Sequence, residues 1–528
     1  MKTSWNVALG FYQNLKTAEG VLRKLKKEGL NRSAYIHREH YGKIIISHGK
    51  DAVHQLLALL ATFLTFLFLY FLTSISPLIL YTALGILSTA VITWSLIEHF
   101  FYRVNPRLIH RYEKLVISDE TLVIVQVKSA DVPKALSILR HVESGHPTSF
   151  LLRPYCSEQN EKVEIVKEPL TMEALNEQAQ ALAMTLKDVE YKKNRHVPLL
   201  KNLRDCEKSL QEIRHAVAEA EFVEQTITLS AEWLLDNTYV IQGNIEEVIR
   251  NLPKKYYQEL PKILSGPMKG LPRIYLIAKD IVRQTANRLS RENIIAYLNS
   301  YQTIDQLTIG ELWVLPLMLR LRLIECLNLL SKDVDRRLRE GEYACFWGNR
   351  LLNVSKREPN RLSDYLDDLK SEQKKPSSHF AEELIDHLYD EDKIIPPVRQ
   401  WLEEEVHQEI HEMIKQEQLQ KTTEQIALSN AIVSLITLSQ LSWREIFEQI
   451  SFIDRILSRD PSGIYSRMDF NSRDSYRHAI ETFARRSKHK EAEIASRVLQ
   501  SAESGKNEVT SHVGYYLVDE GRYELERA

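Results

Sequence analysis

From Ala52 to Ile97 the chain carries no Asp, Glu, Lys or Arg. Two apolar runs fill this window, Leu56–Leu72 and Leu78–Ile97, and the short polar turn Thr73-Ser74-Ile75-Ser76-Pro77 separates them. A helix crossing the hydrocarbon of a bilayer needs roughly 17–25 apolar residues, and both runs meet that length. Lipid offers no partner to an unpaired backbone group, so each run is expected to be helical. The pattern predicts a two-helix transmembrane hairpin over residues 52–100; a buried hairpin in a soluble core is the alternative. A tight turn returns the chain to the side it left. Lys43 and Lys50 precede the hairpin, and Arg103, Arg107, Arg111 and Lys114 follow it. Basic flanks favour the cytoplasmic side, so both termini are expected there, with the protein multi-pass in a plasma membrane. Met1 to Leu15 lacks the apolar core of a signal peptide.

Residues 1–50 and 104–155 read as one small α/β domain that the hairpin splits. Trp5–Tyr12, Ser33–His37, Gly42–Ser47, Thr121–Lys128 and Thr148–Leu152 are β-branched and apolar, as strands are. Thr17–Glu28 is an amphipathic helix closed by Gly29, and a second helix runs from Asp131, its expected N-cap, to about Glu143. Strand–helix–strand twice over predicts a ferredoxin-like α/β sandwich.

Beyond it the chain is mainly α. Residues 165–225 read as long amphipathic helices broken near Pro198. Residues 226–375 form a helical domain, with Pro253, Pro261, Pro267, Pro272 and Pro316 read as breaks between short helices. Residues 376–500 form a second helical region containing the turn Asp460-Pro461-Ser462-Gly463, and Ser501–Val509 reads as a flexible linker to the terminal segment.

Several function classes fall away. The 69 basic and 71 acidic residues nearly balance, and no nucleic-acid fingerprint is present, so nucleic acid is not an expected partner. Cys156, Cys206, Cys326 and Cys345 form no C-x-x-C pair. His407 and His411 have a metal-compatible helical spacing, but Gln408 stands where the zincin glutamate belongs and the segment is strongly acidic. Asp333-Val334-Asp335 resembles a metal-binding D-x-D pair, yet it lies in a helical stretch rather than at a strand end. Phosphate-binding loops and nucleophile elbows are absent. No catalytic, cofactor-binding or metal-binding residue is expected in this chain.

Two polar-aromatic clusters remain. One holds Trp233 in Ala231–Asn237 (AEWLLDN), followed by Tyr256 and Tyr257 in Tyr256–Ile263 (YYQELPKI); the other holds Glu311 and Trp313 in Leu307–Glu325 (LTIGELWVLPLMLRLRLIE). Rings beside carboxylates can stack on sugar faces and take sugar hydroxyls, so these five are candidate glucan or domain contacts. The same residue types also pack helical cores.

These motifs carry a resemblance. Together with Pro272–Ala278 (PRIYLIA), Ser429–Leu441, Trp443–Ile450, Asp460–Glu481 (DPSGIYSRMDFNSRDSYRHAIE) and His512–Glu526 (HVGYYLVDEGRYELE), they are similar to the segment before the transferase domain of cyclic β-1,2-glucan synthases. The resemblance implies a bacterial inner-membrane protein. In that family a transferase domain uses UDP-glucose and a divalent metal to extend an enzyme-attached β-1,2-glucan, and a phosphorylase-like region trims it before ring closure. Those modules follow the HVGYYLVDEGR motif, so the chain is expected to be a non-catalytic N-terminal part. Its implied partners are the lipid bilayer, a transferase domain in cis or in trans, and β-1,2-glucan. A stand-alone membrane scaffold or sensor, with a ligand- or partner-binding α/β domain, is the rival expectation.

Overall fold

The computed structural model describes residues 5–40, 43–47, 104–140, 148–152, 168–190, 198–222, 227–389, 394–406, 409–487 and 489–523. The expected hairpin lies outside the described residues, as do Cys156, His407 and Gln408. Among the described residues no single helix is long and apolar enough to cross a membrane.

Five strands form one antiparallel sheet: β1 (Asn6–Tyr12), β2 (Ser33–Arg38), β3 (Ile44–Ser47), β4 (Thr121–Val127) and β5 (Thr148–Leu152). Their order is β3-β2-β4-β1-β5. Helix α1 (Leu15–Lys27) connects β1 to β2, α2 (Pro106–Glu113) precedes β4, and α3 (Val132–Arg140) connects β4 to β5. Each connection passes over a strand from the other half, the interleaving expected of a ferredoxin-like sandwich, and β3 adds an edge beside β2. Gly29, at φ 85°, closes α1 as expected, because only glycine takes a left-handed backbone without strain. Asp131 ends a 3₁₀ turn, Ser129–Asp131, instead of capping α3, so the chain begins to wind before it.

All seven residues of β1 are buried, as are all seven of β4. Strands covered on both faces read as continuous apolar runs, and here both faces are covered. One face packs Ala8, Val123 and Val125 against Leu22 and Leu25 of α1 and Leu136 and Leu139 of α3. On the other, Leu9, Phe11 and Phe150 meet helices from residues 344–413, with Phe150 edge-on to Phe346 at 5.4 Å. Arg350 crosses this layer fully buried: it donates to both Glu120 oxygens, at 2.7 and 3.1 Å, with its guanidinium 3.7 Å from the Phe11 ring centroid. A charge so placed is held by its paired carboxylate and the ring beneath it.

The chain divides into two compact units. The first holds residues 1–160, 215–227 and 334–419; the second holds 161–214, 228–333 and 420–528. The linear segments 226–375 and 376–500 are therefore each shared between units, because residues 334–419 pack with the sheet.

In the second unit the expected long helices over 165–225 resolve into Met172–Thr185 and a helix beginning at Pro198, with Val189–Glu190 between them pairing with Lys262–Ile263. Pro316 is not a break. It sits inside the helix Ile309–Arg357, where one missing N–H costs a single backbone bond and leaves the helix intact. Nor is Ser501–Val509 a loose linker: the helix Glu491–Glu503 extends into it, and Thr510 closes a turn with Lys506 and Asn507.

Candidate functional site at the start of the long helix

The motifs singled out in the sequence converge, within the second unit, on the first turn of Ile309–Arg357. Thr308 and Glu311 form a capping box. The Glu311 N–H donates to Thr308 Oγ1 at 3.2 Å, and the Thr308 N–H donates to Glu311 Oε2 at 3.0 Å. That reciprocal pair satisfies two of the donors every helix leaves open at its N-terminus.

Two further motifs, and Glu491 of the helix Glu491–Glu503, are tied to this turn. Arg273, from PRIYLIA, donates to Glu311 through Nε at 2.9 Å and Nη2 at 2.6 Å. It also pairs with Asp305 and donates to the Gln306 carbonyl at 3.1 Å. Burial opposes the Arg273 charge, but Glu311 and Asp305 outweigh it and hold the guanidinium pKa above its ordinary value. Tyr256, from YYQELPKI, donates to the Gly310 carbonyl at 2.8 Å. The Ile309 N–H donates to Glu491 at 2.8 Å. Burial, with Glu481 and Glu311 nearby, pushes the Glu491 carboxyl up to about 7. Arg485 bridges Glu481 at 2.7 Å and Glu259 at 3.2 Å.

One turn on, Trp313 stacks on Phe447 at 4.6 Å and meets Phe470 edge-on at 5.9 Å, leaving 36% of its surface exposed. Arg477 lies fully buried beneath, within 5.0 Å of both ring centroids, and donates twice to Asp454 at 2.9 Å.

The five candidate contacts thus separate. Trp313 is exposed, and Trp233 and Tyr256 are half-buried. Tyr257 and Glu311 are fully buried, as residues packing a helical core are. Glu311 is occupied by its cap and Arg273. The Tyr257 hydroxyl has no hydrogen-bond partner among the described residues, and burial raises its pKa. No hydrogen bond or ring contact among the described residues ties Trp233 to the junction. Of the rejected metal candidates, Asp335 pairs with Arg339 at 2.6 Å and His411 is exposed.

Sequence reasoning missed a second network, between Asp460-Pro461-Ser462-Gly463 and the terminal HVGYY motif. Asp460 accepts from Ser462 Oγ at 2.6 Å and from the N–H groups of Tyr465 and Val513 at 3.2 and 3.1 Å. Burial opposes its charge, but these bonds and His512 hold its carboxyl below the ordinary range. An anionic Asp460 accepts the proton of His512 Nδ1 at 2.8 Å, which leaves Nε2 to accept the Tyr476 hydroxyl at 3.0 Å. Ser462 sits on the Nδ1 side, 3.2 Å away, so His512 cannot serve it as a base opposite Asp460. Both motifs were visible in the sequence; their pairing, about fifty residues apart, carried no local signal.

What the fold defines is a two-unit protein, an α/β sandwich with added helices and a helical unit whose long motifs pin one another. No known family profile matches the chain. It is 32% identical over 335 residues, 61% of its length, to the cyclic β-(1,2)-glucan synthase NdvB of Rhizobium meliloti (strain 1021). The matched region is 12% of that much larger protein.

Proposed function

We propose that this chain serves cyclic β-1,2-glucan synthesis as a membrane-anchoring, non-catalytic region that packs on a glucan-making transferase domain. The observation carrying this reading is the identity to NdvB. Supporting it, Tyr256, Arg273, Thr308 and Glu311, which interlock at the start of Ile309–Arg357, come from motifs that resemble the family. Interlocked ion pairs and caps suit a rigid docking body. On this reading UDP-glucose and a divalent metal act in the transferase domain, and residues 52–100 anchor the chain in the inner membrane with both termini cytoplasmic. Exposed Trp313 is the candidate contact for glucan or for the partner domain.

The test is complementation. A strain whose synthase lacks the region before its transferase domain receives this chain in trans, and cyclic glucan is measured. Restored glucan is the expected result. No glucan, with the chain expressed and in the membrane, overturns the docking role and favours an independent scaffold. Turnover of UDP-glucose by the purified chain overturns the non-catalytic part.

A further inference from the structure

One end of the α/β sheet gathers features that belong at a membrane surface. Trp5 leads into β1, whose Asn6 pairs with Val127 at the end of β4. Arg32 leads into β2, and its carbonyl accepts the Gln126 N–H at 2.8 Å. The Arg32 guanidinium lies 4.3 Å from the Trp5 ring centroid, and the Lys128 ammonium lies 5.9 Å from it. Lys27, Arg32, Lys128 and Lys134 stand at this end against Glu28 and Asp131.

Both exits toward the charge-free stretch open at the same end. Ser47, which ends β3, pairs with Tyr35 near the start of β2. The described chain resumes at Val104, and the Asn105 N–H donates to the Gln126 side chain at 2.8 Å. Ala52 follows Ser47 by five residues, a reach of at most about 18 Å for an extended chain. On the exposed side of β3, Ile44 and Ile46 are 38% and 42% exposed.

We propose that this end of the sheet is a lipid-facing surface that takes the phosphate headgroups of anionic phospholipids. Trp5 lies at the interface, and Arg32 and Lys128 meet the phosphates. Tryptophan and basic side chains favour that depth because each has an apolar body and a polar or charged tip. The inference rests on the hairpin reading of residues 52–100 for its orientation.

The full chain is reconstituted in phosphatidylcholine vesicles with and without phosphatidylglycerol. Quenching of tryptophan fluorescence by brominated lipid is compared between the wild type and Trp5→Phe. Enrichment of spin-labelled phosphatidylglycerol around the protein is compared between the wild type and Arg32→Gln/Lys128→Gln, with the thermal midpoint as the folding check. The expected result is a quenchable Trp5 component and a loss of phosphatidylglycerol preference on the order of fivefold per basic residue removed. An unquenched Trp5 with an unchanged lipid preference in the folded variants overturns the proposal. Alkaline carbonate extraction tests the hairpin separately. Release of the wild type overturns the hairpin reading, while phosphatidylglycerol binding by the released chain that depends on Arg32 and Lys128 still upholds the surface.

Discussion

Arg273 and Glu311 form a two-pronged ion pair with almost no access to solvent, at 3% and 0% exposure. It joins the capping box of the longest helix to a segment some forty residues earlier in the chain. Replacing Glu311 with alanine takes the two-pronged partner from a buried guanidinium, leaving it Asp305 alone among carboxylates, and opens the cap at once. The expected loss is about 3–5 kcal/mol in urea unfolding. The double variant Arg273→Met/Glu311→Leu is expected to lose less than either single change, because neither fully buried charge remains and Asp305, which loses Arg273, is partly open to solvent.

Glu491 gives stability a pH dependence of definite sign. Its folded value of about 7 lies above the ordinary 4.5, so the fold favours the protonated carboxyl. That contribution is complete below about 4.5 and is lost as pH rises through about 7, at about 1.4 kcal/mol per pH unit between them. Glu491→Gln keeps an acceptor for the Ile309 N–H and removes the titration. The difference in urea midpoint between wild type and variant, followed from about pH 5 to about pH 8, should show this slope.

Two glycines make a matched pair. A Cβ on Gly514 would come within 2.1 Å of the Tyr476 hydroxyl oxygen and 2.6 Å of His512 Nε2, whereas one on Gly243 meets nothing within 4 Å. Gly514→Ala is expected to cost about 1–3 kcal/mol by forcing the Asp460–His512–Tyr476 chain apart. Gly243→Ala, inside the helix Thr238–Asn251, is expected to stabilise by about 0.5–1 kcal/mol. Thermal midpoints moving in opposite directions are the readout.

Tyr257 and Trp313 should respond differently. Tyr257→Phe removes a buried hydroxyl with no partner among the described residues and is expected to raise stability by about 1 kcal/mol, leaving glucan binding unchanged. Trp313→Ala leaves Phe447 without its stacked partner, and is expected to weaken glucan or transferase binding several-fold if that face is the contact. Calorimetric titration with β-1,2-glucan oligomers and with the transferase domain separates the two ligands.

Much of the fold was legible along the chain because it depends on local pattern. The apolar runs of β1 and β4 announced strands, and Gly29 marked the end of α1. The order of two strand–helix–strand halves implied their interleaving, since short connections leave few other ways to cover both faces. Thr308 and Glu311 also stood in plain view as a capping box, three residues apart ahead of an apolar run.

The rest depended on neighbours far apart in sequence. Pro316 looked like a break, yet the packing around Ile309–Arg357 outweighs one absent hydrogen bond. Tyr257 and Glu311 read equally as contacts or as core, and their burial came only with packing. A residue's type and spacing determine which bonds it can make and which face of an element it occupies. Which faces are covered, and so which carboxylate meets Arg273, which base meets Tyr476 and which tryptophan stays exposed, was decided when distant segments packed together.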